Sequence, residues 1–304
     1  STNTAEGSLS HTSLTFTPAD WNTPQTVVVT GVDDDIDDGN TGYSIVTTAA
    51  VSTDPTYDGA SVDDISLTNS DDDAADIQVL PTSGLTTTED GETATFQIVL
   101  GAQPLANVTI DLSSNNLSEG TVSPASVVFG PNDWDVPRTV TVTGVDDDND
   151  DGDTPFVIVT SPAVSSDDIY GGWDANDVSV TNRDNDTASV TVVPVSGLVT
   201  SEAGGSRTFD VRLATQPAVD VIITMNSSDE TEGSVSSPSI TFTPSDWNHY
   251  QTVTVTGVDD LIDDGDVAYF IQTEAVSGDA TYSGIHVDDV SLTNSDDDVA
   301  GAAV

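Results

Sequence analysis

The 304-residue chain contains no cysteine and no lysine. Without cysteine, no disulfide staples the fold. Without lysine, the lysine-based isopeptide cross-links of some surface fibres are excluded. Basic residues are limited to Arg138, Arg183, Arg207 and Arg212, against 53 acids, for a formal charge of -49. Nucleic acid and anionic membrane are poor partners for such a surface because both require basic patches. Cations are its natural counter-species. Histidine is scarce too: His11, His249 and His286 give a zinc site little support. No apolar run approaches the ~18 residues of a membrane span. Aromatics make up only 6%, a proportion that with high charge can signal disorder. The 36% hydrophobic residues fall in alternating runs, however, and this favours folded β-structure.

What is present is a repeat. Asp20-Trp21 recurs as Asp133-Trp134 and Asp246-Trp247, 113 residues apart each time. The string GVDD begins at Gly31, Gly144 and Gly257, and Glu6-Gly7 recurs as Glu119-Gly120 and Glu232-Gly233. A closing TN-x-D-[DN]-D ends at Asp73, Asp186 and Asp298; its last interval of 112 implies one deletion between Thr273 and Tyr282. Two repeats are complete, 74–186 and 187–298. Residues 1–73 match only the later part of a unit, which lacks its first ~40 residues by this count. Residues 299–304 read as the start of a further repeat or as an inter-subunit strand. No signal segment is visible and residue 1 is Ser, so the chain reads as a mature or excised piece of a longer array. A neighbour's strand completing the first unit is the alternative.

Within 74–186 the strands follow a period of two. TATFQIVL (93–100) puts Ala94, Phe96, Ile98 and Leu100 on one face, and NVTIDL (107–112) does so with Val108, Ile110 and Leu112. SVVF (126–129), RTVTVTGV (138–145), PFVIVT (155–160) and DVSVTN (177–182) follow. An opening strand near 76–80 brings the expected number to about seven. Alternation with turn signals every 8–12 residues is a β-sandwich pattern.

The acids are concentrated. Of 20 in the middle repeat, ten fall in four places: Glu89, Glu119, the loop Asp146, Asp147, Asp148, Asp150, Asp151 and Asp153, and the closing Asp184 and Asp186. Counterparts in the first repeat are Glu6, Asp33, Asp34, Asp35, Asp37, Asp38, Asp71, Asp72 and Asp73. In the third they are Glu202, Glu232, Asp259, Asp260, Asp263, Asp264, Asp266, Asp296, Asp297 and Asp298. One Asp run is ordinarily a solvated turn. Recurrence in three units calls for a counter-ion, because two carboxylates ~4 Å apart repel by about 1 kcal/mol even in water. Oxygen-rich clusters suit calcium better than zinc or copper. An EF-hand is excluded: Asp147, Asn149, Asp151 and Gly152 match its first half, but its twelfth position is Ile158.

TTEDGETATFQIVL (87–100), EGTVSPASVVFGPNDW (119–134), RTVTVTGVDDDNDDGD (138–153) and VSVTNRDND (178–186) together resemble the Calx-beta family. The resemblance implies all-β, immunoglobulin-like Greek-key sandwiches in a head-to-tail rod, with calcium clustered at one end of each. It implies ligand roles for Glu89 and its counterpart Glu202, for Asp146, Asp147 and Asp148, and for Asp184 and Asp186. Asn185, Leu261 and Asn40 depart from the acidic pattern, so ion number is expected to differ between units. The PxDWNxPQTVTVTG motif resembles bacterial secreted versions of the repeat. The expected function is therefore a calcium-stiffened structural repeat of an extracellular filament or cell-surface adhesin. Further copies of the same repeat are its expected partners. A calcium-sensing module and an acidic halophile surface protein are the alternatives. Trp21, Trp134 and Trp247, with Tyr57, Tyr170 and Tyr282, are expected to pack in cores. No catalytic constellation is seen, since acids that recur in every unit are not an enzyme's single pair.

Overall fold

A computed structural model describes residues 1–301. The residues from 302 on, half of the expected further-repeat start at 299–304, lie outside the described residues. The described residues form 22 strands and no helix; none of them offers a helix long and apolar enough to cross a membrane.

The chain falls into two compact units, one of residues 1–85, 93–143 and 156–180, the other of 86–92, 144–155 and 181 onward. The first repeat, in the first unit, contains β1 (Gly7–Leu9), β2 (Val29–Gly31), β3 (Thr41–Ile45) and β4 (Ile65–Asn69). The middle repeat contains β5 (Ile77–Leu80), β6 (Leu85–Thr88), β7 (Thr93–Leu100), β8 (Val108–Ser114), β9 (Gly120–Ser123), β10 (Ser126–Phe129), β11 (Arg138–Gly144), β12 (Thr154–Thr160) and β13 (Val178–Arg183). The third repeat, wholly in the second unit, contains β14 (Val190–Val193), β15 (Leu198–Ser201), β16 (Ser206–Leu213), β17 (Val221–Ser227), β18 (Gly233–Val235), β19 (Ser239–Phe242), β20 (Gln251–Gly257), β21 (Val267–Ser277) and β22 (Val290–Ser295).

Alternation explains the packing. In β7, Phe96, Ile98 and Leu100 are buried while Thr95 and Gln97 face water. The third repeat forms two sheets, β14-β16-β20-β18 and β15-β22-β21-β17-β19. Phe209, Val211, Val253 and Val255 from one sheet meet Ile223, Tyr269, Ile271 and Val290 from the other in a single core. The middle repeat has the same order, β5-β7-β11-β9 and β10-β8-β12-β13-β6, around Phe96, Ile98, Phe129, Val140 and Ile158. This is the immunoglobulin-like sandwich expected from the sequence. Each complete repeat has nine strands rather than about seven. The two overlooked in the middle repeat, β6 and β9, are short and largely polar, and they exist because neighbouring strands offer them an edge.

Tyr170 and Tyr282 are 1% exposed, and each hydroxyl hydrogen-bonds a backbone carbonyl, of Ala102 at 2.7 Å and Thr215 at 2.8 Å. Trp247 is core and Trp134 packs against one. Trp21 and Tyr57 correct the sequence expectation: they are 64% and 56% exposed. The cause is the half-sandwich. The first repeat has only the pairs β1-β2 and β3-β4, without counterparts of β5 to β8 to close over it. Phe16 is accordingly 53% exposed where Phe129 and Phe242 are fully buried.

Phe209→Ala should cost about 3–5 kcal/mol in guanidinium unfolding of the third repeat, because it empties a ring-sized volume at the sheet interface. A loss below about 1 kcal/mol would mean that this core is not closed.

Candidate metal centre

Strand register gathers the acids at one end of the third repeat. β15 runs parallel to β22 with Ser201 opposite Ser295, so Glu202 and the closing acids leave their strands side by side. Gly233 pairs with Gly257, which sets Glu232 beside the start of the acidic loop. Val267 pairs with Asn294, bringing the end of that loop back to the closing motif.

Main-chain N–H groups then lock the carboxylates. Asp296 Oδ2 accepts from Gly265 N at 2.8 Å, and its Oδ1 accepts from Asp298 N at 2.7 Å. Asp184 does the same with Gly152 and Asp186 at 2.7 Å each, and Asp71 with Gly39 at 2.6 Å and Asp73 at 2.9 Å. Gly39, Gly152 and Gly265 have φ of 74°, 77° and 78°, a conformation that only glycine adopts without strain. Inside the loop, Asp34, Asp147 and Asp260 each accept from the N–H two residues on, at 3.0, 2.8 and 2.7 Å. Glu89 Oε2 accepts from Asn185 N at 3.0 Å and Glu202 Oε2 from Asp297 N at 3.4 Å. Asn185 therefore contributes its main chain at this point, and its side chain is not required to be acidic.

Carboxylate oxygens, including ones that accept these N–H groups, converge. Glu202, Asp296 and Asp298 bring one ligand oxygen each within 4.8 Å of one another, as do Glu202, Asp259 and Asp297, Glu232, Asp260 and Asp264, and Glu89, Asp184 and Asp186. Calcium binds oxygen at 2.3–2.6 Å, so oxygens up to about 4.8 Å apart can share one ion. In the first repeat Glu6, Asp33, Asp34, Asp38, Asp71, Asp72 and Asp73 line a cavity of about 20 Å³, room for about one water-sized body. Glu119 stands where Glu6 and Glu232 stand; the three are 5%, 7% and 4% exposed.

The electrostatics ask for a cation. Burial pushes the Glu89 carboxyl up to about 7, helped by Asp184, Asp147 and Asp186 and opposed by the Asn185 N–H. Burial, followed by neighbouring acids, also raises Asp38, Asp73, Asp151, Asp186 and Asp298. Glu202 and Glu232 rise mainly by burial, opposed by hydrogen bonds from Asp297 and Asn294. Asp296 is lowered by the N–H groups of Asp298 and Gly265. Among the described residues the two ion pairs, Arg138–Asp133 and His286–Asp288, involve none of these acids. Asp186 Oδ2 and Asp298 Oδ2 are buried with no hydrogen-bond partner. A buried anionic oxygen without a donor is costly. In a set of carboxylate oxygens, a hard divalent cation is the group that fits.

Several expected ligands have other work. Asp37, Asp150 and Asp263 accept the N–H of Ala75, Ala188 and Ala300, holding the residues that follow each closing motif. Asp35 and Asp148 contribute main-chain carbonyls, which accept from Gln103 N at 2.6 Å and Gln216 N at 2.7 Å. That a carbonyl suffices explains why Leu261 is tolerated at the same position. Asp153 and Asp266 accept the N–H of Asp184 and Asp296 at 3.3 Å each, and Asn40 accepts that of Asp71 at 2.9 Å. An amide oxygen does this as well as a carboxylate. Hydrogen-bond geometry thus gives these residues a role besides the ligand role expected of them. Asp146 and Asp148 still act through space on Asp186. The sequence reading overlooked the main-chain groups, since no residue type marks them.

No protein-family model matches the chain, and no curated protein matches it by sequence. Solved structures similar to it include CBD12 from CALX1.2, at 10% identity and TM-score 0.32, covering 71% of this chain and 98% of that one. The calcium binding domain CBD12 of CALX1.1 is similar at 12% identity and TM-score 0.31, covering 72% and 99%. The apo-form Calx CBD1 domain is similar at 15% identity and TM-score 0.30, covering 37% and 99%. Likenesses this distant carry no function across to this chain.

Proposed function

We propose that this chain is a calcium-binding structural repeat array of an extracellular filament or cell-surface adhesin, in which calcium at each acidic end stiffens the join to the next repeat. The observation that carries the reading is the orphaned oxygen of the closing acid, Asp186 Oδ2 and Asp298 Oδ2, buried among carboxylates that lack a basic partner. The same loop that presents the ligands also holds the following repeat, through Asp37 to Ala75 and Asp150 to Ala188 at 2.8 Å each. Ion binding and the join are thus parts of one loop. Extracellular modules bind calcium with dissociation constants of about 10⁻⁴–10⁻³ M, concentrations found outside cells.

Further copies of the repeat are the proposed partners. Ile36 lines a cavity with Leu105, Ile169 and Tyr170 of the following repeat. Ile262, its counterpart, is 61% exposed and the adjacent Leu261 90%. An apolar loop tip of this kind suits a seat on another repeat.

The test is thermal unfolding in excess calcium and again after chelation, with magnesium and sodium matched. The expected result is a calcium-specific rise in melting temperature. At a hundredfold excess over the dissociation constant each site adds about 2.7 kcal/mol. Identical transitions in the two conditions would refute calcium binding.

A further inference from the structure

Behind each acidic end lies an asparagine from the TN of the closing motif. In the third repeat Asn294 is 1% exposed. Its Nδ2 donates to the Val258 carbonyl at 3.0 Å and to Glu232 Oε2 at 3.3 Å. Its Oδ1 accepts from Thr200 Oγ1 at 3.0 Å, and that hydroxyl sits 3.0 Å from the Tyr269 hydroxyl. The chain of contacts runs from the hydrophobic core to the Val258 carbonyl at the entry of the acidic loop and to Glu232 beside that loop. Asn69 repeats the two donations, to the Val32 carbonyl at 2.8 Å and to Glu6 Oε2 at 3.2 Å. Asn182 donates to the Val145 carbonyl at 3.0 Å and accepts from Thr87 at 2.9 Å.

The chemistry requires a carboxamide. A carbonyl and a carboxylate are both acceptors, so the group between them must donate twice, and it must accept from the threonine behind. Aspartate has the right shape but no donor, and it would add a charge to a crowded anionic end. The glycine that opens GVDD belongs to the same device: a Cβ on Gly257 would lie 2.4 Å from Asn294 Oδ1, and one on Gly31 or Gly144 2.5 Å from Asn69 or Asn182.

We propose that Asn69, Asn182 and Asn294 are positioning residues for calcium, fixing the entry of the acidic loop and, in the first and third repeats, the Glu6 and Glu232 carboxylates. The inference rests on the calcium reading above. Partners that orient metal ligands are worth about 10–100-fold in affinity, and the same range is expected here.

Asn294→Leu in the full chain tests it, by calcium titration and by thermal unfolding with calcium and with chelator. A purely structural asparagine would lower the melting temperature equally in both conditions and leave the titration unchanged. A positioning asparagine shrinks the calcium-dependent rise and weakens the ions of one repeat by about 10–100-fold, leaving the others as they were. If Asn294→Leu does not fold, Thr200→Val decides, because it keeps the asparagine and removes the support on Oδ1, together with the hydroxyl's contacts to Tyr269 and the Thr293 carbonyl. A weakened titration then supports the proposal and an unchanged one overturns it. A wild-type chain with no calcium response overturns the calcium reading and this inference together. A wild-type response that the variants leave intact overturns this inference alone.

Discussion

Glu202→Gln is expected to destabilise the calcium-loaded protein and to leave the calcium-free protein as stable or more stable. Glu202 is 3% exposed and belongs to two carboxylate trios, one with Asp296 and Asp298 and one with Asp259 and Asp297. A neutral amide removes a formal charge from both. Without calcium that charge is a burden, because burial raises the carboxyl's pKa. Glutamine keeps the side-chain oxygen that accepts the Asp297 N–H, so the closing turn survives. With calcium present the balance reverses. Losing one site's increment should lower the melting temperature of the repeat by roughly 10 °C. Glu89→Gln should behave alike through its trio with Asp184 and Asp186. Scanning calorimetry of wild type and variant, with calcium and with chelator, gives the four values needed. A variant destabilised equally in both conditions would assign Glu202 to the fold rather than to the ion.

Without calcium, stability should fall as pH rises through the window set by Glu89. Its ordinary pKa is 4.5 and burial carries it to about 7. Between those values the folded chain keeps a proton that the unfolded chain has released, so raising pH favours unfolding. The penalty is absent below about 4.5 and complete above about 7. Asp186, Glu232 and Asp298 are raised as well and push the same way. Asp296, lowered by its two N–H donors, pushes the other way: it loses its contribution as pH falls through its folded value. Raised carboxyls outnumber lowered ones at the acidic ends, so the net slope is downward. Calcium competes with those protons. Affinity at the Glu89 site should therefore weaken below pH 7, and binding there near pH 6 should release roughly one proton. Calorimetric titrations in two buffers of different ionisation enthalpy measure this directly. Equal heats in both would show that no raised carboxyl takes part.

Much of the fold was legible in residue order. Phe96, Ile98 and Leu100 alternate with polar neighbours, and β7 has the bounds that alternation suggests. β6 was not legible because LTTT carries no apolar stripe; its strand conformation comes from the neighbouring sheet edge. Trp21 and Tyr57 sit at the repeat positions of Trp247 and Tyr282, yet only the latter pair is buried. The repeat position predicts packing only where the opposing strands are there to pack against. In the acidic ends, the clustering of Asp and Glu pointed to segments whose carboxylates the fold does bring together. It could not separate Asp298, whose Oδ2 is buried without a donor, from Asp150, whose carboxylate holds the Ala188 N–H.

Composition and periodicity by themselves pointed to an all-β chain in which half the acids of residues 74–186 gather in four places. Those properties depend on residue type and spacing, which the chain carries directly. Tertiary structure decided which oxygens can share an ion, which are taken up by N–H groups, and which asparagine holds the loop. Those outcomes turn on the parallel register of β15 and β22 and on main-chain donors that every residue possesses. Side-chain identity does not encode them; only the folded geometry does.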